Sequence, residues 1–116
     1  MFIPGGEGAV TKTTYRLPSA LRDTMRTAAR ERYGAKGKSR WVREAIEELL
    51  RADPALTSVG IAEDLMQHDA LDVVSLEDGL RERIEVAMTT LRRQDPLMKG
   101  VQSVIIRAAI RRKLKV

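Results

Sequence analysis

The sequence predicts a mainly α-helical fold carrying a short two-stranded antiparallel β-ribbon, and three observations lead there. A strand-helix-helix pattern occurs twice in the 116 residues. Each expected helix carries apolar residues at the spacing that turns them onto one face. Aromatic residues are only 3% of the chain, so the core has to come from Leu, Ile, Val, Ala and Met, which suits packed helices.

Thr11–Leu17 is rich in β-formers and lacks a helical stripe, which predicts a strand with Thr13, Tyr15 and Leu17 on one face and Lys12, Thr14 and Arg16 on the other. Pro18 ends it, because Pro biases the preceding residue towards extended geometry while itself fitting the first turn of a helix. The stripe Leu21-Met25-Ala28-Ala29 defines the first helix and Trp41-Val42-Ala45-Ile46-Leu50 the second, with Gly34–Lys38 as the turn between them. Residues 52–70 contain Pro54, Gly60 and neither Lys nor Arg, and read as an acidic linker with a short helical stretch over Ile61–Gln67. A second strand is expected at Leu71–Leu76, with Leu71, Val73 and Ser75 outward and Asp72 inward. Ser75-Leu76-Glu77-Asp78 has the form of a capping box, which would start the third helix early and shorten that strand. The third and fourth helices follow from Leu80-Ile84-Ala87-Met88 and Ile105-Ile106-Ala109-Ile110-Leu114.

The two halves are related by more than element order. Leu17, Leu21, Arg22 and Ala28 recur 59 residues later as Leu76, Leu80, Arg81 and Ala87. Further along the offset is 64, and Ser39, Arg43, Ala45, Ile46 and Leu50 recur as Ser103, Arg107, Ala109, Ile110 and Leu114. The change of offset falls between the two helices of each half, where loops are expected to absorb an insertion. The organisation read from this is a flexible arm at residues 1–10, a first unit at 11–51, the linker at 52–70 and a second unit at 71–116, with both units sharing one domain.

Composition narrows the function. The absence of cysteine excludes a disulfide framework, a thiolate zinc site and a cysteine nucleophile. Asp64 and the lone His68, one helical turn apart, make at most half a metal site, and no metal or other cofactor is expected. No nucleophile elbow or phosphate-binding glycine loop occurs, so no enzymatic activity is expected. No apolar run has the length of a membrane span and the first ten residues lack signal-peptide character; a cytoplasmic protein without a membrane partner is expected. The net charge is +5, from 21 basic and 16 acidic side chains. Residues 1–51 hold 11 basic and 6 acidic side chains, residues 52–79 none and 7, and residues 80–116 hold 10 and 3. Two basic blocks around an acidic bridge suit a polyanionic partner, since clustered Lys and Arg gain by releasing counterions from nucleic acid.

Tyr15-Arg16-Leu17-Pro18 leading into Leu21, followed by Gly37-Lys38-Ser39-Arg40-Trp41-Val42-Arg43-Glu44-Ala45-Ile46, resembles the ribbon-helix-helix family of bacterial DNA-binding proteins, the MetJ/Arc/CopG superfamily. The resemblance covers residues 11–51 well and 71–115 less closely. It implies a tandem ribbon-helix-helix pseudo-dimer within one chain, similar to the TraY-type accessory proteins of plasmid conjugation. A single unit has no ladder partner and too little surface to bury, so the two strands must pair with each other or with another copy; the linker is long enough for either.

The resemblance further implies double-stranded DNA as partner, with the ribbon in the major groove. The base-reading residues it implies are Lys12, Thr14 and Arg16 from the first strand, where Arg and Lys can donate to guanine and Thr can meet a thymine methyl, with Val73 and Ser75 at the matching positions of the second. Phosphates are expected at the starts of the second and fourth helices, where free N–H groups and the helix dipole favour an anion. The residues there are Lys36, Lys38, Ser39 and Arg40, and Lys99, Gln102 and Ser103. Simple N-capping is the competing role for Ser39 and Ser103, and core packing the favoured one for Trp41. The expected function is transcriptional regulation or assistance to conjugative transfer, with further copies on DNA or a relaxase as possible partners. The alternative is an antitoxin, whose partner would be a toxin, or another protein-interaction module; the return of the same pattern in the second half argues against it.

Overall fold

The computed structural model describes residues 10–60 and 67–116. Apart from Val10 and Gln67, the expected arm and the expected helical stretch at 61–67 lie outside the described residues. The order of elements is β1 (Val10–Leu17), α1 (Ser19–Tyr33), α2 (Lys38–Ala52), β2 (Ala70–Glu77), α3 (Asp78–Gln94) and α4 (Val101–Leu114). It is the expected mainly helical fold with one two-stranded antiparallel sheet.

Both strands run to eight residues, and β2 is not shortened. It continues through Glu77, which stands in extended geometry (φ −77°, ψ 155°) before α3, and no side chain caps that helix. The expected capping box is therefore not used. Ser75 lies fully inside the ladder, and its backbone groups are held there by α2, so extended pairing wins over an early helical turn.

The ladder pairs Val10 with Glu77, Thr14 with Val73 and Leu17 with Ala70. Thr14 and Val73 are also counterparts under the 59-residue offset found between α1 and α3. The strand register and the helix repeat therefore agree: exchanging the halves maps the ribbon onto itself. The units interleave. α2 lies against β2, α4 lies against β1, and the most extensive helix packing is between α2 and α4.

The inward strand residues Tyr15, Leu17, Val74 and Leu76 join the helix stripes in a single buried cluster that draws on both units. Trp41 belongs to it, as expected, and is 4% exposed. In α2 it is Leu49 that is fully buried, with Leu50 only partly so. A fully buried Leu or Ile side chain contributes about 1.5–3 kcal/mol relative to exposure, so the shared cluster is the main force joining the units.

The insertion in the second half is not confined to its loop. Counted against the first half, two residues lengthen α3, two lengthen the loop, and one lets α4 start earlier. The short turn of the first half is tight: a Cβ on Gly37 would stand 2.2 Å from the Cβ of Tyr33. Gly34 closes α1 at φ 83°, with its N–H donating to the Arg30 carbonyl at 2.8 Å.

Candidate nucleic-acid interface

Alternation along the strands gives the ribbon one exposed face. Lys12, Thr14 and Arg16 of β1 lie on it, opposite Ser75, Val73 and Leu71 of β2 respectively. The three β1 residues are exposed, as are Val73 (38%) and Leu71 (49%), while Ser75 is half-buried. All five expected base-reading residues thus share one surface. Leu71 belongs with them and was not among the residues expected to read bases; its place in the alternation was the available signal.

A two-stranded sheet has two open edges, and here each is held by a helix from the other unit. Ser75 N–H donates to Ser39 Oγ (3.1 Å), and Arg43 Nη1 donates to the Ser75 carbonyl (3.0 Å). On the opposite edge Arg16 N–H donates to Ser103 Oγ (3.2 Å), and Arg107 Nη1 donates to the Arg16 carbonyl (2.7 Å). Arg16 and Ser75 are repeat counterparts, as are the two Ser-Arg pairs. Each pair is four residues apart, which places both side chains on one helix face. The backbone beneath the outward face is therefore fixed at two symmetric points. The sequence gives Arg43 and Arg107 no site role of their own; a repeated arginine within an apolar stripe is the signal for it.

The competing role of Ser39 and Ser103 as helix caps is not taken up. The N-cap positions are Gly37 and Gly100, and the serine oxygens accept from strand N–H groups, leaving each hydroxyl proton able to donate elsewhere. The first intrahelical bonds run from Trp41 N–H to Gly37 and from Val104 N–H to Gly100, each 3.0 Å, so the N–H groups before them project from the helix starts. Neither first turn contains an acidic residue. The start of α1 differs: Ser19 N–H and its hydroxyl both donate to Asp69, at 3.0 and 3.2 Å. The N–H bond from Ser19 is the main reason the Asp69 carboxyl lies below the usual range.

The expected phosphate residues divide by environment. Lys36 and Lys99 are exposed, and Gln102 is half-buried. Arg40 is exposed, lies 4.0 Å from the Tyr33 ring centre and pairs with Glu44 at 3.6 Å. Lys38 instead reaches under the ribbon to Asp72, which is 4% exposed on the inward face. Asp72 also accepts from Arg26 Nε (3.3 Å) and from Val73 N–H (2.8 Å). Burial alone would raise the Asp72 carboxyl, but these donors, Lys38 foremost, hold it below the ordinary carboxylate range. Burial pushes the neighbouring Tyr15 phenol up, and the Asp72 charge adds to that shift.

Among the described residues no cluster of three or more His, Asp or Glu side chains could hold a metal ion, and no helix is long and apolar enough to cross a membrane. Comparison with family models, curated proteins and solved structures gives no match to this chain.

Proposed function

We propose that the chain is a sequence-specific double-stranded DNA-binding protein, a tandem ribbon-helix-helix pseudo-dimer that serves as a transcriptional regulator or conjugative-transfer accessory factor. The observation that carries this reading is the exposed ribbon face bearing Lys12, Thr14 and Arg16, with the backbone of Arg16 locked by Ser103 and Arg107. A two-stranded ribbon fits the major groove, where every base pair presents a distinct pattern of donors and acceptors. A guanidinium on a fixed backbone can donate to both guanine acceptors with little loss of freedom. Beside it, the starts of α2 and α4 offer N–H groups without acidic neighbours, together with Lys36, Arg40 and Lys99, to the phosphates on either side.

Selection of bound duplexes from a random pool, followed by footprinting, tests the proposal. An enriched site is expected, and Arg16→Ala should cost about 1–3 kcal/mol and relax preference at one base position. Lys36→Ala should weaken all duplexes alike and lower the salt slope by about one. Recovery of no preferred sequence by the intact protein would overturn the sequence-specific reading. Equal loss on every duplex from Arg16→Ala would make that residue a phosphate contact.

A further inference from the structure

The inward face of the ribbon carries an ion cluster that the repeat does not duplicate. Asp72, on β2, is buried and receives Lys38 from α2 and Arg26 from α1, both donated by the other unit. Exchanging the halves maps Asp72 onto Thr13, Arg26 onto Glu85 and Lys38 onto Gln102. Every charge in the cluster is thereby lost or reversed. Two further inward positions stay apolar or aromatic under the same exchange, with Tyr15 matching Val74 and Leu17 matching Leu76.

From this we infer that the Asp72–Lys38–Arg26 cluster makes the ribbon obligately heterotypic: the first unit pairs with a second unit, of its own chain or of another copy, and neither unit pairs with its own kind. The alternatives fail on chemistry. Two second units joined in the same register would bury two Asp72 carboxylates, each facing Gln102 in place of Lys38 and Glu85 in place of Arg26. A buried carboxylate without a cation is costly, and a second carboxylate beside it adds repulsion. Two first units would place Thr13 beneath Lys38 and Arg26, leaving two cations at each site without their anion. In the unlike pair the carboxylate meets both cations and a backbone N–H together. Discrimination thus comes from penalties on the wrong pairs as well as from contacts in the right one. The linker raises the local concentration of the correct partner, but the cluster provides selectivity that does not depend on the linker. A second copy of this chain can consequently enter the ribbon only by exchanging unlike halves.

The inference rests on the two-unit architecture and not on DNA reading, and the assay contains no DNA. A protease site is inserted between Gly60 and Gln67 of the full chain, and the folded protein is cut. The two halves are then unfolded and refolded together at equal concentration, and native mass spectrometry counts like and unlike pairs. Unlike pairs should exceed like pairs by roughly tenfold or more over the statistical mixture. Asp72→Thr, which gives β2 the residue found in β1, should let pairs of second units appear and bring the ratio down towards statistical. Asp72→Asn, which keeps the shape of the side chain and removes its charge, should lower the ratio in the same way. A near-statistical mixture from the unmodified sequence would overturn the inference, as would an Asp72→Thr protein as selective as the parent. Should Asp72→Thr fail to refold, Asp72→Asn decides: a ratio lowered towards statistical supports the inference and one as high as the parent's refutes it.

Discussion

The two units hold the ribbon in the same way and present it differently. Ser39 with Arg43 and Ser103 with Arg107 make the same pair of bonds to counterpart strand residues. The outward faces share no such likeness: Lys12, Thr14 and Arg16 stand beside Leu71, Val73 and Ser75, a polar basic row against a mainly apolar one. The inward faces differ as well, since only β2 carries a buried carboxylate. Where side chains serve the backbone, the units match, because any open strand edge needs the same donor and acceptor. On the two faces of the ribbon, away from those clamps, they diverge.

The comparison is broken most severely at the turns. Gly37→Ala should destabilise by about 3 kcal/mol, since its Cβ would overlap Tyr33, whereas Gly100→Ala should cost only about 1 kcal/mol, the strain of a left-handed residue in open space. Urea unfolding of the two variants measures the difference. Next come the clamps. Arg107 is 4% exposed and Arg43 half-buried, so Arg107→Ala should cost about 2–3 kcal/mol and Arg43→Ala about 1 kcal/mol, read in the same way. Equal losses would mean that the strand edges, and not their burial, set the cost.

Acid should expose the difference between the inward faces. The folded-state Asp72 carboxyl is held below its unfolded value, so its contribution is complete above about pH 4, the unfolded carboxylate value, and is lost as pH falls through the folded one. Asp72→Asn should remove part of the acid-induced loss of stability between pH 5 and the acid limit of folding, while Thr13→Val in β1 should leave that slope unchanged; chemical denaturation at a series of pH values tests both. Asp53 and Asp69 titrate in the same region, the former held down to about 2 against its own desolvation by bonds from Ser58 and Thr57. Some acid sensitivity should therefore survive in the variant. The smallest effect expected is on DNA: Val73→Ala should cost about 1 kcal/mol or less, against the larger loss set out for Arg16→Ala. Binding titrations on the selected site would show whether, as proposed, β1 contributes more to base reading than β2.

Much of this arrangement was legible in the sequence because it rests on periodicity. Two-residue alternation put Lys12, Thr14 and Arg16 outward and Asp72 inward, and the helix stripes located all four helices. The 59-residue offset, read from α1 and α3, also holds at the centre of the ladder, where Thr14 meets Val73. The rest depends on side chains far apart in the chain. Nothing local to Asp72 announces Arg26 or Lys38, so Lys38 read as a phosphate ligand when it is tied beneath the ribbon. Ser39 and Ser103 carry the chemistry of a cap, and only the approach of the other unit's strand makes them acceptors for it. The capping-box pattern at Ser75 failed for the same reason: a local signal met a tertiary competitor that uses the same backbone.

Interleaving also dictates when the chain can fold as it is synthesised. β1 has no ladder until Glu77 has been made, and the stripe of α2 lacks its main helical partner until α4 follows at Val101–Leu114. At about 5–20 residues per second, the interval between completing α2 and completing α4 is on the order of 3–12 s. Through that interval Trp41, Val42, Ile46 and Leu49 stay in reach of water and of neighbouring chains. The first half is thus held in an unfinished state by its own topology, and chaperone access or aggregation competes with folding during those seconds.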